Sequence, residues 1–336
     1  MPQKTAAPPN RNVVITIIVF SMGLALVFAN RTVLYPLLTV IGREFSINST
    51  QLGIVTSGYF LFYMAVQIPA GVWGDRFGLK RALVGTYVLA GIGLLAIGVF
   101  ARSYPSLLFT TVLYGGGAGA YYPLAYSLAM EIVPQRIRGL ANALINIGSG
   151  VGLVIGLIIA GPFYQATGSW RTIFSFLAVP TLLLTLVFAW FLQPQSPRSS
   201  GDNRIGHLAR QKDFLFIYFA NFASLFAFWN IVSWGPAFFE TERGMGLGAA
   251  GFYTALISLG GIPASLLLGR LSDRVGRKKI AIMLLPVAAM SLVLITRVYS
   301  NFWLLVILVL YGATGKLAWE HIVVSWIGDL VAESYP

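Results

Sequence analysis

Four ionisable side chains stand where hydrocarbon makes them costly. Arg31 falls past the middle of the apolar run 12–41, and Lys316, Glu320 and His321 fall inside the apolar run 301–331. A charge at membrane depth costs about 3 kcal/mol or more, so such residues face an interior and are functional candidates by default. A guanidinium offers a planar fork of donors that fits a carboxylate or phosphate, which makes Arg31 a candidate anion ligand. The competing reading is a side chain that snorkels to the outer interface. Lys316 and Glu320 are one helical turn apart. They read either as a substrate cation beside a titratable carboxylate, or as a pair neutralising itself inside a bundle. His321 changes charge near neutral pH and joins Glu320 as a candidate for proton coupling. Tyr35, Tyr121, Tyr122, Trp229 and Asn230 lie near span centres, and aromatic walls with polar tips suit a cavity for a small polar solute. Among these, Tyr35, Tyr122, Trp229 and Asn230 join Arg31 and Lys316 as the candidate substrate-binding set.

A second constellation is duplicated. Residues 71–81 read GVWGDRFGLKR and residues 269–279 read GRLSDRVGRKK, both of the form G-x-x-x-D-R-x-G-x-K-[KR]. Glycine allows a tight turn between two helices. Asp75 and Asp273 can meet the positive end of a neighbouring helix or a cation at the loop. Gly71, Asp75, Arg76, Gly78, Asp273, Arg274 and Gly276 carry this doubled turn, against the simpler reading that the cations only anchor topology.

Other chemistry is excluded by what the chain lacks. It has no cysteine, hence no disulfide, thiolate metal site or iron–sulfur cluster. Its two histidines, His207 and His321, are far apart in sequence, and no nucleophile or metal constellation appears. No G-x-x-x-x-G-K-[ST] loop is present to cradle a nucleotide. Neither catalysis, a metal nor a cofactor is expected.

The elements that position these residues follow from composition. The chain is 57% hydrophobic and 10% charged over 336 residues, with a mean hydropathy of +0.77. About 20 apolar residues in a helix cross about 30 Å of hydrocarbon. Ten runs qualify: 12–41, 50–73, 81–101, 106–133, 139–163, 171–192, 213–240, 249–269, 280–299 and 301–331. The expectation is an all-α polytopic membrane protein. Most of the 23 Lys and Arg fall in the segments on one side, which predicts a cytoplasmic N-terminus with both charged loops inside. The net charge of +12 is thus a topology signal with some attraction to anionic lipid, not a nucleic-acid footprint. The polar, Pro- and Ser-rich segment 193–212 reads as a cytoplasmic linker between 1–192, with six spans, and 213–336, with four. VLYG recurs at 112–115 and 309–312, as parallel internal repeats require.

The twin loops, EIVPQRIRG after span 4, WRTIF opening span 6 and WGPAFF in span 7 together resemble the major facilitator superfamily. NRTVLYPLL around Arg31 is similar to its organic anion:cation symporter branch. The resemblance implies two pseudo-repeated helix bundles and alternating access, moving a small carboxylate-type anion with protons across a plasma or inner cell membrane as a monomer. It places the anion on Arg31 and makes the twin loops a clasp on the other half of the protein. That clasp is what makes Gly71, Asp75, Arg76, Gly78, Asp273, Arg274 and Gly276 candidates for a conformational gate. Thr111, Ala118 and Asn30 stand where that branch carries an Arg, an acid and an Asp. The superfamily usually has twelve spans, and ESYP at 333–336 matches EIVP at 131–134 before span 5, so the chain is expected to stop where span 11 would begin. The alternatives are a proton antiporter exporting drugs or metabolites, and a membrane protein that does not transport.

Overall fold

A computed structural model describes residues 11–193, 212–320, 322–323 and 326–327, and among them the chain forms helices and turns with no strand. The helices are α1 (Arg11–Thr32), α2 (Leu38–Phe45), α3 (Ser49–Ala65), α4 (Gln67–Phe77), α5 (Leu79–Phe100), α6 (Tyr104–Gly119) and α7 (Tyr121–Ile132). They are followed by α8 (Arg138–Thr167), α9 (Trp170–Phe191), α10 (Lys212–Thr241), α11 (Leu247–Val275), α12 (Arg277–Arg297) and α13 (Asn301–Thr314). Nine helical stretches among the described residues, some of them interrupted, are long and apolar enough to cross a membrane. The tenth expected span, 106–133, is made of α6 and α7, interrupted at Ala120. The protein is an all-α, multi-pass membrane protein.

Three interruptions share one local cause. Proline has no N–H to donate to the carbonyl four residues earlier, and its ring crowds that carbonyl. The helices end at those positions: α1 at Thr32 before Pro36, α3 at Ala65 before Pro69, and α6 at Gly119 before Pro123. In span 1 the gap is filled by a 3-10 turn, Tyr35–Leu37, all three residues buried. Prolines 162, 180, 236, 263 and 286 sit inside continuous helices, so proline permits a break without enforcing one.

The duplicated motif makes the same turn twice. A single glycine joins α4 to α5 and another joins α11 to α12: Gly78 at φ 92°, ψ 135° and Gly276 at φ 102°, ψ 131°. Only glycine occupies this region without strain. Each glycine N–H closes the preceding helix, Gly78 onto the Gly74 carbonyl at 2.9 Å and Gly276 onto the Ser272 carbonyl at 3.0 Å. The repeated VLYG also has one role in both halves. A Cβ on Gly115 would lie 2.7 Å from the Tyr59 carbonyl oxygen, and one on Gly312 would collide with the Ile257 carbonyl oxygen. These glycines let the fourth and tenth spans pack backbone to backbone on the second and eighth.

The chain divides into two compact units that follow the sequence halves except in two segments. Arg31–Thr39 and Leu153–Gly168 group with the second half. The reason is close packing within that unit. A Cβ on Gly161 would lie 2.5 Å from the Gly248 nitrogen, Gly251 abuts the Leu157 carbonyl, and Pro36 lies beside it. The Thr32 hydroxyl donates to the Leu153 carbonyl at 3.2 Å, and the Thr39 hydroxyl donates to the Glu240 carboxylate. The expected linker, 193–212, lies outside the described residues apart from its two ends.

Inside the first unit, α1 is braced by hydroxyls. Tyr87, Tyr114 and Tyr121 donate to the carbonyls of Gly23, Val27 and Phe20 at 2.9, 3.1 and 2.6 Å. Tyr121, read from sequence as a cavity residue, is 1% exposed and is a brace between helices. The WRTIF segment has a structural role as well. The Trp170 indole and the Arg171 guanidinium both donate to Glu44, each at 2.6 Å, and Arg171 also reaches the Ala101 carbonyl at 2.8 Å.

Candidate functional site

Arg31 sits in the last turn of α1. The break before Pro36 leaves a helix C-terminus there, and the negative end of a helix favours a cation. The side chain is buried, at 4% exposure, which rules out snorkelling to a wet surface within this fold. Its guanidinium carbon lies 3.8 Å from the centroid of the Trp229 ring, a desolvated cation–π contact of the stronger kind. Tyr35, one turn on, is buried with the Ser233 hydroxyl beside it. Ser233 is also buried and follows Trp229 by one turn of α10.

Lys316 is positioned by another break. α13 ends at Thr314, the Gly315 N–H donates to the Tyr311 carbonyl at 2.8 Å, and the helix resumes at Lys316. The ammonium is buried and pairs with the Glu320 carboxylate at 2.6 Å. A cation at a helix start is disfavoured by the backbone dipole, so the carboxylate one turn away offsets that penalty. Lys316 Nζ also lies 5.6 Å from the centroid of Phe228, which packs edge-on against Trp229 at 5.3 Å. Adjacent rings of α10 thus each take one cation.

The structure brings together Arg31, Tyr35, Trp229, Lys316 and Glu320 in one compact unit, and adds Phe228 and Ser233, which sequence reasoning missed. For Ser233 the signal was present, since it stands one turn from Trp229. Asn230 is placed otherwise: it is exposed, and its side-chain amide donates to the Phe226 carbonyl of its own helix at 2.8 Å. Tyr122 belongs to the first unit, in the first turn after the Ala120 break, stacked on Tyr126 at 4.3 Å. Asn30, also in the first unit, donates its side-chain amide to the Thr181 hydroxyl at 3.0 Å. His321 lies outside the described residues. No group of three or more His, Cys, Asp or Glu able to hold a metal occurs among the described residues.

The gate candidates divide by role. Gly78 and Gly276 are required by their backbone angles, and beside them a Cβ on Gly74 would meet the side-chain ends of Leu79 at 2.7 Å and Leu124 at 2.8 Å. Gly71 has open space: a Cβ would meet nothing within 4 Å, so close approach is not what it provides. Asp75 is half-buried, while Arg76 and Arg274 are exposed; the Asp273 side chain lies outside what is described.

A sequence profile for the Major Facilitator Superfamily matches residues 20–335. The chain belongs to the Major Facilitator Superfamily. This superfamily member is 28% identical over 242 residues to the 3-(3-hydroxy-phenyl)propionate transporter of Escherichia coli K12, a match covering 70% of this chain and 59% of that one. It is 26% identical over 263 residues to a Cupriavidus necator protein named "Probable sulfoacetate transporter", covering 71% and 60% respectively. The chain therefore spans about six-tenths of the length of these curated relatives. Its fold is similar to crystal structures of a bacterial homolog of the human lysosomal transporter Spinster, with a TM-score of 0.75 at 19% identity, covering 97% of this chain and 79% of that one.

Proposed function

We propose that this superfamily member moves a small organic anion of the carboxylate type by alternating access, coupled to protons as a symporter. The observation that carries this reading is the burial of Arg31 against Trp229, with Lys316 on the neighbouring ring of the same helix. A guanidinium buried beside an indole ring is a cation whose planar, forked donors suit a carboxylate. The restart of the helix at Lys316 adds the positive end of a helix, as interrupted membrane helices do for anionic substrates. The relatives named for hydroxyphenylpropionate and sulfoacetate transport support an organic acid as substrate. Glu320 is the coupling residue in this proposal, alternately paired with Lys316 and protonated while substrate holds the ammonium. The twin loops act as the clasp that resets between states, on the cytoplasmic side with the N-terminus.

The test is uptake of labelled 3-(3-hydroxyphenyl)propionate and sulfoacetate into vesicles carrying the protein, with and without an inward proton gradient. Gradient-stimulated uptake of at least one is expected. Binding of neither acid to the purified protein, read by tryptophan fluorescence against a Trp229→Phe control, would remove the organic-anion reading.

A further inference from the structure

A separate groove lies on the first unit, where α4 meets the start of α5. It encloses about 320 Å³ and is lined by Trp73, Phe77, Arg81, Ala82, Gly85 and Leu89, among others. That volume is at the low end of the roughly 300–1,000 Å³ usual for small-molecule sites. None of the proposed substrate-binding or coupling residues lines it, while Trp73, Phe77 and Arg81 belong to the first of the twin loops.

Its chemistry is graded along its length. Trp73 and Phe77 are 55% and 60% exposed and stand in the last turns of α4, beside the charged loop. Arg81 is exposed in the first turn of α5. From Arg81 the groove runs over Gly85 to Leu89, about 12 Å along a helix rising about 1.5 Å per residue. Gly85 leaves it open, since a Cβ there would meet nothing within 4 Å. Thr86, also in the lining, turns its hydroxyl to the Ala82 carbonyl of its own helix at 2.8 Å, which leaves that wall without a directed donor. Arg81 is thus the one charged group in the lining, with the exposed Arg76 and half-buried Lys80 close by in sequence.

A cation beside the charged loop, followed by an apolar trough along the helix, matches one kind of molecule. We propose that the groove is a binding site for an anionic phospholipid, with its phosphate on the Arg81 guanidinium and one acyl chain lying across Gly85 between Trp73 and Leu89. The charge selects against a neutral headgroup, since interfacial Lys and Arg attract anionic lipid by about 1 kcal/mol each, or roughly fivefold. The bidentate fit of guanidinium to phosphate sharpens that preference.

Purified protein in mixed micelles would be titrated with phosphatidylglycerol or phosphatidylcholine carrying brominated acyl chains, which quench nearby indoles. The Trp73 contribution is the difference between the wild type and Trp73→Phe. Brominated phosphatidylglycerol is expected to quench it at an about fivefold or lower mole fraction than phosphatidylcholine, with inorganic phosphate failing to compete. Arg81→Gln should abolish the preference while retaining quenching, and Gly85→Leu, which fills the trough, should weaken both lipids. Equal quenching by the two lipids in the wild type, or a preference unchanged in Arg81→Gln, would overturn the site. So would a Trp73 shielded from both lipids, which means that another protein element covers the groove, or displacement of the lipid by free phosphate. Arg81→Gln is a surface change, so the test stands even if Gly85→Leu fails to fold.

Discussion

Replacing Arg31 by alanine removes a guanidinium that is 4% exposed and lies 3.8 Å from the centroid of the Trp229 ring. If it holds the anionic group of the substrate, the loss is that of a hydrogen bond to a charged partner, about 1.5–3 kcal/mol. Affinity should fall roughly ten- to a hundredfold, since 1.4 kcal/mol is about a factor of ten. Arg31→Lys keeps the charge but not the planar fork, so it should recover only part of the binding. The effect on stability is a separate quantity. Alanine forfeits a cation–π contact worth about 2 kcal/mol when desolvated and also removes a buried charge whose burial is itself costly, so the melting temperature should move little. Binding of 3-(3-hydroxyphenyl)propionate or sulfoacetate to purified protein, followed by calorimetry, separates the two quantities. Equal affinity in wild type and Arg31→Ala, with an unchanged melting temperature, would refute the assignment of Arg31 and with it most of the case for an anionic substrate.

Three further outcomes are expected. Gly78→Ala and Gly276→Ala should each destabilise by about 1–3 kcal/mol because their backbone angles exclude a side chain, whereas Gly71→Ala should stay within about 0.5 kcal/mol; thermal melting in detergent that ranks all three alike contradicts this. Glu320→Gln keeps a hydrogen-bonding partner for Lys316 but cannot ionise, so uptake should lose its dependence on the proton gradient while anion affinity changes by less than about fivefold, or 1 kcal/mol; gradient-driven uptake persisting in Glu320→Gln would exclude this carboxylate from coupling. In a chain that contains no cysteine, Arg102→Cys should react with an impermeant thiol reagent added outside intact cells and Arg274→Cys should not; the reverse pattern would invert the topology.

Much of this fold was written locally. Long apolar runs become helices because a membrane leaves the backbone no other partner for its N–H and C=O groups. The twin turns follow from a glycine at one fixed place in each motif, and the breaks after Thr32, Ala65 and Gly119 fall where Pro36, Pro69 and Pro123 withhold a donor. The repeated VLYG announced a repeated packing contact. The helices, turns and repeated contact each depend on a handful of consecutive residues, so the amino-acid order alone determined them; for the breaks it supplied the permissive prolines, since five others sit inside continuous helices.

Which residues face one another was decided elsewhere. In a water-soluble helix the polar stripe names the buried face, but here lipid and core are both apolar, and periodicity assigns no side. Tyr121 and Trp229 both read as cavity aromatics; packing buried the first as a brace on α1 and set the second against Arg31. Asn230 adjoins Trp229 in sequence, yet the helix turns it away to its own backbone. Arg31–Thr39 and Leu153–Gly168 come from the first half of the chain and pack with the second, because Gly161, Gly248 and Gly251 allow backbones to meet there. Composition and motif determined the helices, the turns and the candidate charges. Only the tertiary structure decided which charge met which ring, since that depends on contacts between residues far apart in the chain, through surfaces whose hydropathy does not distinguish them.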